Sequence, residues 1–333
     1  MILLVQNEVM KLLLKKKMVL IILLVLVFTS LFAYGEQYTY DKNIQRFESE
    51  SDGIGYNWKT LTTQRLEDMK ARLDSPYIPE SGIKSMTIEI EQLTYFIEND
   101  INPITPSAAK FSVAFIEQGI MMLIPLLIII LAADLVSGEF TAGTIKLLLT
   151  RATPRWKILL SKYLALVMMT TLVVFLIGCI ATGVAFAFFG RWGFDQPVAT
   201  GFNSVDGVLN SDNVILVTSL VYMMLIYALA WFVSIVIASI TFMVSVMVKS
   251  TSTAIGILMA TLIGGQFLQF FLFDWEIVKY FYVTNLNLTR YLTGSYQPIA
   301  GMNLVFSIGV LSIWAIFSII VSFQVFDKKD VLV

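Results

Sequence analysis

The residues that could do chemistry in this 333-residue chain are few, and they are concentrated. The densest set lies in GEFTAGTIKLLLTRATPRWK, residues 138–157, which holds Glu139 with Lys146, Arg151, Arg155 and Lys157. Asp134 and Lys162 flank it. Such a set can form ion pairs, within the chain or with a partner's surface. It is not a catalytic set. The chain has no His, which removes His acid–base chemistry and the usual His metal sites. The single Cys179 stands in an apolar run and has no partner for a disulfide. No phosphate-binding signature of the form Gly-x4-Gly-Lys-Ser/Thr occurs. One further acid, Glu117, falls near the start of an apolar run. An acid at membrane depth is a functional hypothesis; its alternative is a place at the interface beside Gln118.

The elements that must position these groups are apolar. Hydrophobic residues make up 57% of the chain and charged ones only 14%, against about 25% charged in soluble domains. Apolar runs of the length that crosses a bilayer predict an all-α polytopic membrane protein. Its six transmembrane helices fall at 18–34, 112–133, 158–189, 214–248, 251–273 and 301–326. The fourth run is too long for one upright helix, so it must tilt, protrude or break, with Ser234 and Ser239 as weak points. Pro125 predicts a kink in the second span. Lys and Arg gather at 1–17, 134–157, Lys249 and 327–333. This distribution puts both termini on the cytoplasmic side. The net charge of −1 gives no pull toward nucleic acid.

Residues 1–17, with Glu8 and Lys11 set among apolar residues, predict a helix lying on the membrane surface. The first span also reads as a signal peptide, and the apolar segment before its lysines favours an uncleaved span. Residues 35–111 predict a small α-helical extracytoplasmic domain. In it Leu61, Leu66, Met69 and Leu73, and then Met86, Ile90, Leu93 and Ile97, recur near helical spacing. Outer loops follow at 190–213 and 274–300.

Within 134–157, Ser137 can cap a short helix with Glu139 at its positive end. Gly143 permits a turn, and Thr144 can cap a second helix over residues 145–149. Thr153 and Pro154 then start the third span, leaving Trp156 at headgroup level. A short helix braced between two spans is a lever that a cytoplasmic partner could push.

The segment GEFTAGTIKLLLTRATPRWKILLSK resembles the cytoplasmic segment of ABC-2 type permeases, the membrane subunits of one class of ATP-binding-cassette transporter. The residues that carry the resemblance are Glu139, Gly143-Thr144, Leu147-Leu148, Pro154-Arg155 and Lys162, with Asn7-Glu8 and Lys11 before the first span. The acid often found just before the Glu is replaced by Ser137-Gly138. The resemblance implies a permease that pairs with a second permease chain, as a homodimer or heterodimer; a bacterial plasma membrane is the default expectation for its location. It implies cytoplasmic ABC ATPase subunits that bind the ATP, so the chain itself needs no cofactor and is not an enzyme. The coupling residues would be Glu139, Gly143, Thr144, Lys146, Leu147, Leu148, Arg151 and Arg155; Glu117 is a pathway candidate by its membrane depth and not by the resemblance. Residues 274–300 would be re-entrant helices closing that pathway. Export of a hydrophobic or amphipathic compound, such as a drug, an antimicrobial peptide or a lipid-linked molecule, is what the resemblance suggests. The alternatives are a channel or secondary transporter, or a sensor whose outer loop binds a ligand.

Overall fold

A computed structural model of the chain describes residues 1–50, 57–73, 78–144, 153–205, 208–210, 214–271, 275–294, 299 and 301–328. The fold is mostly helical: α1 Ile2–Leu14, α2 Lys17–Glu50, α3 Trp58–Leu73, α4 Glu80–Glu98, α5 Ala108–Gly119, α6 Leu123–Ala132, α7 Ser137–Thr141, α8 Arg155–Phe189, α9 Ser219–Met247, α10 Thr251–Phe271, α11 Arg290–Thr293 and α12 Leu304–Lys328. Five of these (α2, α8, α9, α10 and α12) are long and apolar enough to cross a membrane. The pair α5–α6, bent by 68°, makes up to six. The protein is a multi-pass membrane protein.

The bend of α5–α6 falls at residues 120–122, just before Pro125. Pro125 therefore sits in the first turn of α6, where its missing N–H costs no helical bond. The side-chain amide of Gln266 on α10 donates to the Met121 carbonyl at the break, 3.3 Å away. That compensation is what a broken helix needs where no water is available.

The first apolar run is the start of a longer helix, since α2 continues without interruption to Glu50. The long fourth run divides into strand β4 and helix α9. Strand β4, Ile215–Thr218, pairs antiparallel with β1, Pro197–Thr200, and α9 begins at the next residue, with the Thr218 hydroxyl accepting the Val221 N–H. Ser234 and Ser239 lie inside unbroken helix. Their hydroxyls donate to carbonyls four residues back, and Ser239 also meets Tyr163 at 2.9 Å. A second pair, β2 Asn203–Val205 and β3 Val208–Asn210, completes a small β element that the helical pattern does not announce.

Helix α9 is the hub, packing against α5, α6, α8, α10 and α12. Its buried face runs through Ile226, Ala230, Val233, Ile237 and Phe242. At one end of the bundle α3 and α4 form a cap, with Leu66 and Met69 against Ile90 and Leu93, the residues the periodicity selects. Ile101, Ala199 and Phe202 bind the cap to β1. The opposite end carries α1, α7 and the N-terminal lysines.

Candidate functional site

At the lysine-bearing end, charged side chains from five elements meet. On α1, Glu8 and Lys11 stand one turn apart and pair at 2.7 Å. Lys162 on α8 is fully buried. Its ammonium donates to Glu8 Oε2 at 2.9 Å and to Glu139 Oε1, on α7, at 2.6 Å. Lys11 also approaches Glu139 Oε1, at 3.6 Å. Beside this cluster Asp134, at the end of α6, receives Lys15 at 2.9 Å and Lys17 at 2.8 Å. Lys17 in addition donates to the Ile130 carbonyl. The N-terminal helix, the α6–α7 corner and the base of α8 are thus joined by charge in addition to the apolar packing of Leu12, Val136 and Leu159.

Burial alone would raise the Glu8 carboxyl, but Lys162 and Lys11 outweigh it and hold it below its ordinary value. Asp134 is likewise held down by Lys17 and Lys15 against the effect of burial. Lys11 is held up by Glu8 and Glu139, again against burial. All three shifts stabilise the charged forms. Removing one member of a buried pair leaves an uncompensated charge, a loss of about 3–5 kcal/mol, so Lys162 is the residue on which this end depends most.

Helix α7 is too short to hold itself. Its first amides, Val136 N–H and Ser137 N–H, both donate to the Ser245 hydroxyl of α9 at 3.1 Å, and that hydroxyl donates to the Ala133 carbonyl. The cap therefore comes from a distant residue and not from Ser137, whose own hydroxyl donates to Ala133 and faces Thr251. Gly138 is closed in: a Cβ there would lie 3.1 Å from Asp134 Cβ. Gly143 ends the unit in the left-handed region, φ +69°, which favours glycine.

Of the coupling residues that the sequence singles out, Glu139, Gly143, Thr144 and Arg155 are described. Lys146, Leu147, Leu148, Arg151 and the helix expected over 145–149 lie outside the described residues. Arg151 being outside the described residues, the ion pairs seen at Asp134 are with Lys15 and Lys17, and those at Glu139 are with Lys11 and Lys162. The reason is the position of α1, which a local reading cannot supply. Arg155 donates to the Asp327 carbonyl at the end of α12, 3.0 Å away. Helix α8 begins at Arg155 with Pro154 as its extended N-cap, one residue later than expected. Trp156 is exposed. An open groove of about 630 Å³ lies between α1 and α7, bordered by Lys11, Lys15, Glu139 and Thr144. Among the described residues, Glu139 Oε2 in this groove has no hydrogen-bond partner.

Glu117 lies toward the cap end. Its described hydrogen bond is from the Tyr222 hydroxyl of α9, at 3.4 Å, and it lines a crevice of about 320 Å³ under the cap.

Comparison with known proteins gives a family match and two relatives. The sequence model of a family described as "Protein of unknown function (DUF2705)" matches residues 85–332. The chain is 28% identical over 279 residues to "Uncharacterized protein YhcI" of Bacillus subtilis (strain 168), covering 83% of this chain and 85% of that protein. It is 28% identical over 216 residues to "Uncharacterized membrane protein YdbK" of the same organism, covering 64% of this chain and 79% of that protein.

Proposed function

The chain belongs to the DUF2705 family, and we propose that it acts as the permease subunit of an ABC-2 type transporter. In this reading it crosses a bacterial plasma membrane six times with both termini in the cytoplasm. It forms the translocation path with a second permease chain and takes its energy from separate ATPase subunits. The path serves export of a hydrophobic or amphipathic compound.

The observation that carries the reading is the convergence of the motif residues. Glu8 and Lys11, Glu139, and Lys162 come from three separate stretches of sequence and form one ion cluster. A load on α7 would pass through this cluster to α8 and α1. The surface of α1 supports its assignment as a membrane-surface helix. It buries Glu8 against the protein and exposes Ile2, Leu3, Met10 and Leu14, an arrangement unfavourable in water and favourable at an acyl-chain boundary.

The test is capture. The tagged full chain, purified in mild detergent, should bring with it a protein with a P-loop and ATP hydrolysis activity. Thr144→Arg, an exposed change beside the groove, should cut the captured ATPase about tenfold and leave the chain monodisperse. Recovery of no ATPase in any gentle condition sinks the proposal and moves attention to the channel and sensor readings.

A further inference from the structure

We propose that the crevice beneath the cap is a binding site for an amphipathic organic cation, and that the Glu117 carboxylate recognises its ammonium group. The crevice is built from five parts of the chain: α2 (Glu36), α4 (Phe96), the connection 101–106, α5 (Lys110, Glu117) and the β1–α9 region (Val198, Tyr222). Its volume of about 320 Å³ is within the range of small-molecule sites, roughly 300–1,000 Å³. The wall is largely apolar, with Phe96, Ile104, Val113 and Val198 among its residues. It continues past Glu36, Pro103 and Ile104 into a wider cavity of about 710 Å³ beside α2. An elongated molecule can therefore place its head in the crevice and its tail along α2.

The polar groups set the sign of the ligand's charge. Lys110 has its ammonium committed to the chain, donating to the Asn102 carbonyl at 2.6 Å and to the Thr105 carbonyl at 3.4 Å. Glu36 shares the crevice with it. Glu117 is different: among the described residues it has no cationic partner within ion-pair distance, and its hydrogen bond from Tyr222 is long. A carboxylate set in apolar walls without a cation is costly. A ligand ammonium would relieve that cost, while an anion would meet two acids whose nearby cation is already engaged. The lining thus selects a positive head and an apolar body.

Binding at this site is independent of the transport reading; its role as the substrate's access point rests on that reading. The experiment uses the full chain in nanodiscs, with empty nanodiscs as blank. The probes are monodansylcadaverine, which joins a primary ammonium to an apolar fluorophore, and its neutral N-acetyl derivative. The expected result is saturable binding of the amine, at least tenfold tighter than of the acetyl derivative, and at least fivefold weaker in Glu117→Gln. Ala114→Phe, which fills the crevice from its wall, should abolish binding and leave the carboxylate in place. It also covers the case in which Glu117→Gln does not yield folded protein. Equal affinity for the two probes, or unchanged amine binding in both variants, overturns the proposal. Charge-selective binding without any captured ATPase would sink the transport reading and leave this site standing. Captured ATPase without such binding would do the reverse.

Discussion

Two ion pairs in this molecule have the same length and different consequences. Arg65–Glu89 on the cap and Lys162–Glu139 at the lysine-bearing end are both 2.6 Å. The cap pair is exposed, with 60% and 41% of its side-chain surface open, whereas the second pair retains 1% and 16%. Water can replace either partner of the first, whereas the Lys162 ammonium of the second is closed off from it. Distance alone therefore says little about what a salt bridge holds. The cap is kept together by its apolar seam of Leu66, Met69, Ile90 and Leu93, whereas the opposite end adds a buried ion cluster to its apolar contacts.

The contrast can be broken first at Lys162. Lys162→Met should destabilise the chain by about 3–5 kcal/mol, because Glu8 and Glu139 are left facing each other in a buried place. Thermal unfolding in detergent reads this, and adding Glu139→Gln should recover part of the loss. A wild-type melting profile for the single variant would mean that water reaches the cluster.

Acid should release the same end and spare the cap seam. Glu8 and Asp134 have folded-state values below their ordinary 4.5 and 3.8. Their contribution is complete above the ordinary values and is lost as pH falls through the depressed ones. Deuterium uptake by residues 2–14 should therefore be flat from neutral pH down to about pH 5, after correction for intrinsic rate, and rise below about pH 4. Release of α1 on going up from pH 7 to 9 would contradict the sign.

Ser245→Ala comes next. It removes the acceptor for two α7 amides and should cost about 1–2 kcal/mol, seen as faster exchange at residues 136–141 with α9 unchanged. Arg65→Ala, on the cap, should cost less than about 1 kcal/mol; a loss as large as that at Lys162 would erase the distinction between the two ends. The last test should leave stability unchanged. In a Cys179→Ser background, a cysteine at exposed Asp195 should label only from outside the cell and one at exposed Lys157 only from inside. The reverse pattern would invert the proposed topology.

The sequence makes the helical character of this chain legible because apolar run length is a local property. It makes the α3–α4 seam legible for the same reason, since its residues follow helical spacing. What it hides is long-range. Ile215, Leu216 and Val217 are as apolar as the helix that follows, so hydropathy cannot mark where β4 ends; only pairing with Val198 and Ala199 does. Glu8, Glu139 and Lys162 each stand out by resemblance, but their meeting depends on where α1 docks, with 154 residues separating Lys162 from Glu8. Ser245 carries no signal at all, being one serine of several in a buried helix. It becomes a cap only because Val136 and Ser137 arrive beside it.

Helix α2 has a mechanical consequence. It is fastened at Lys17 to Asp134 and runs unbroken to Glu50, passing Glu36 on the wall of the crevice. At about 1.5 Å per residue, Glu36 stands about 28 Å along the rod from Lys17. A tilt of about 5° about the Lys17 end would carry Glu36 sideways by about 2.5 Å at that reach, enough to widen or close a crevice of this size. In this geometry a small angle at the charged end would correspond to a larger displacement beneath the cap.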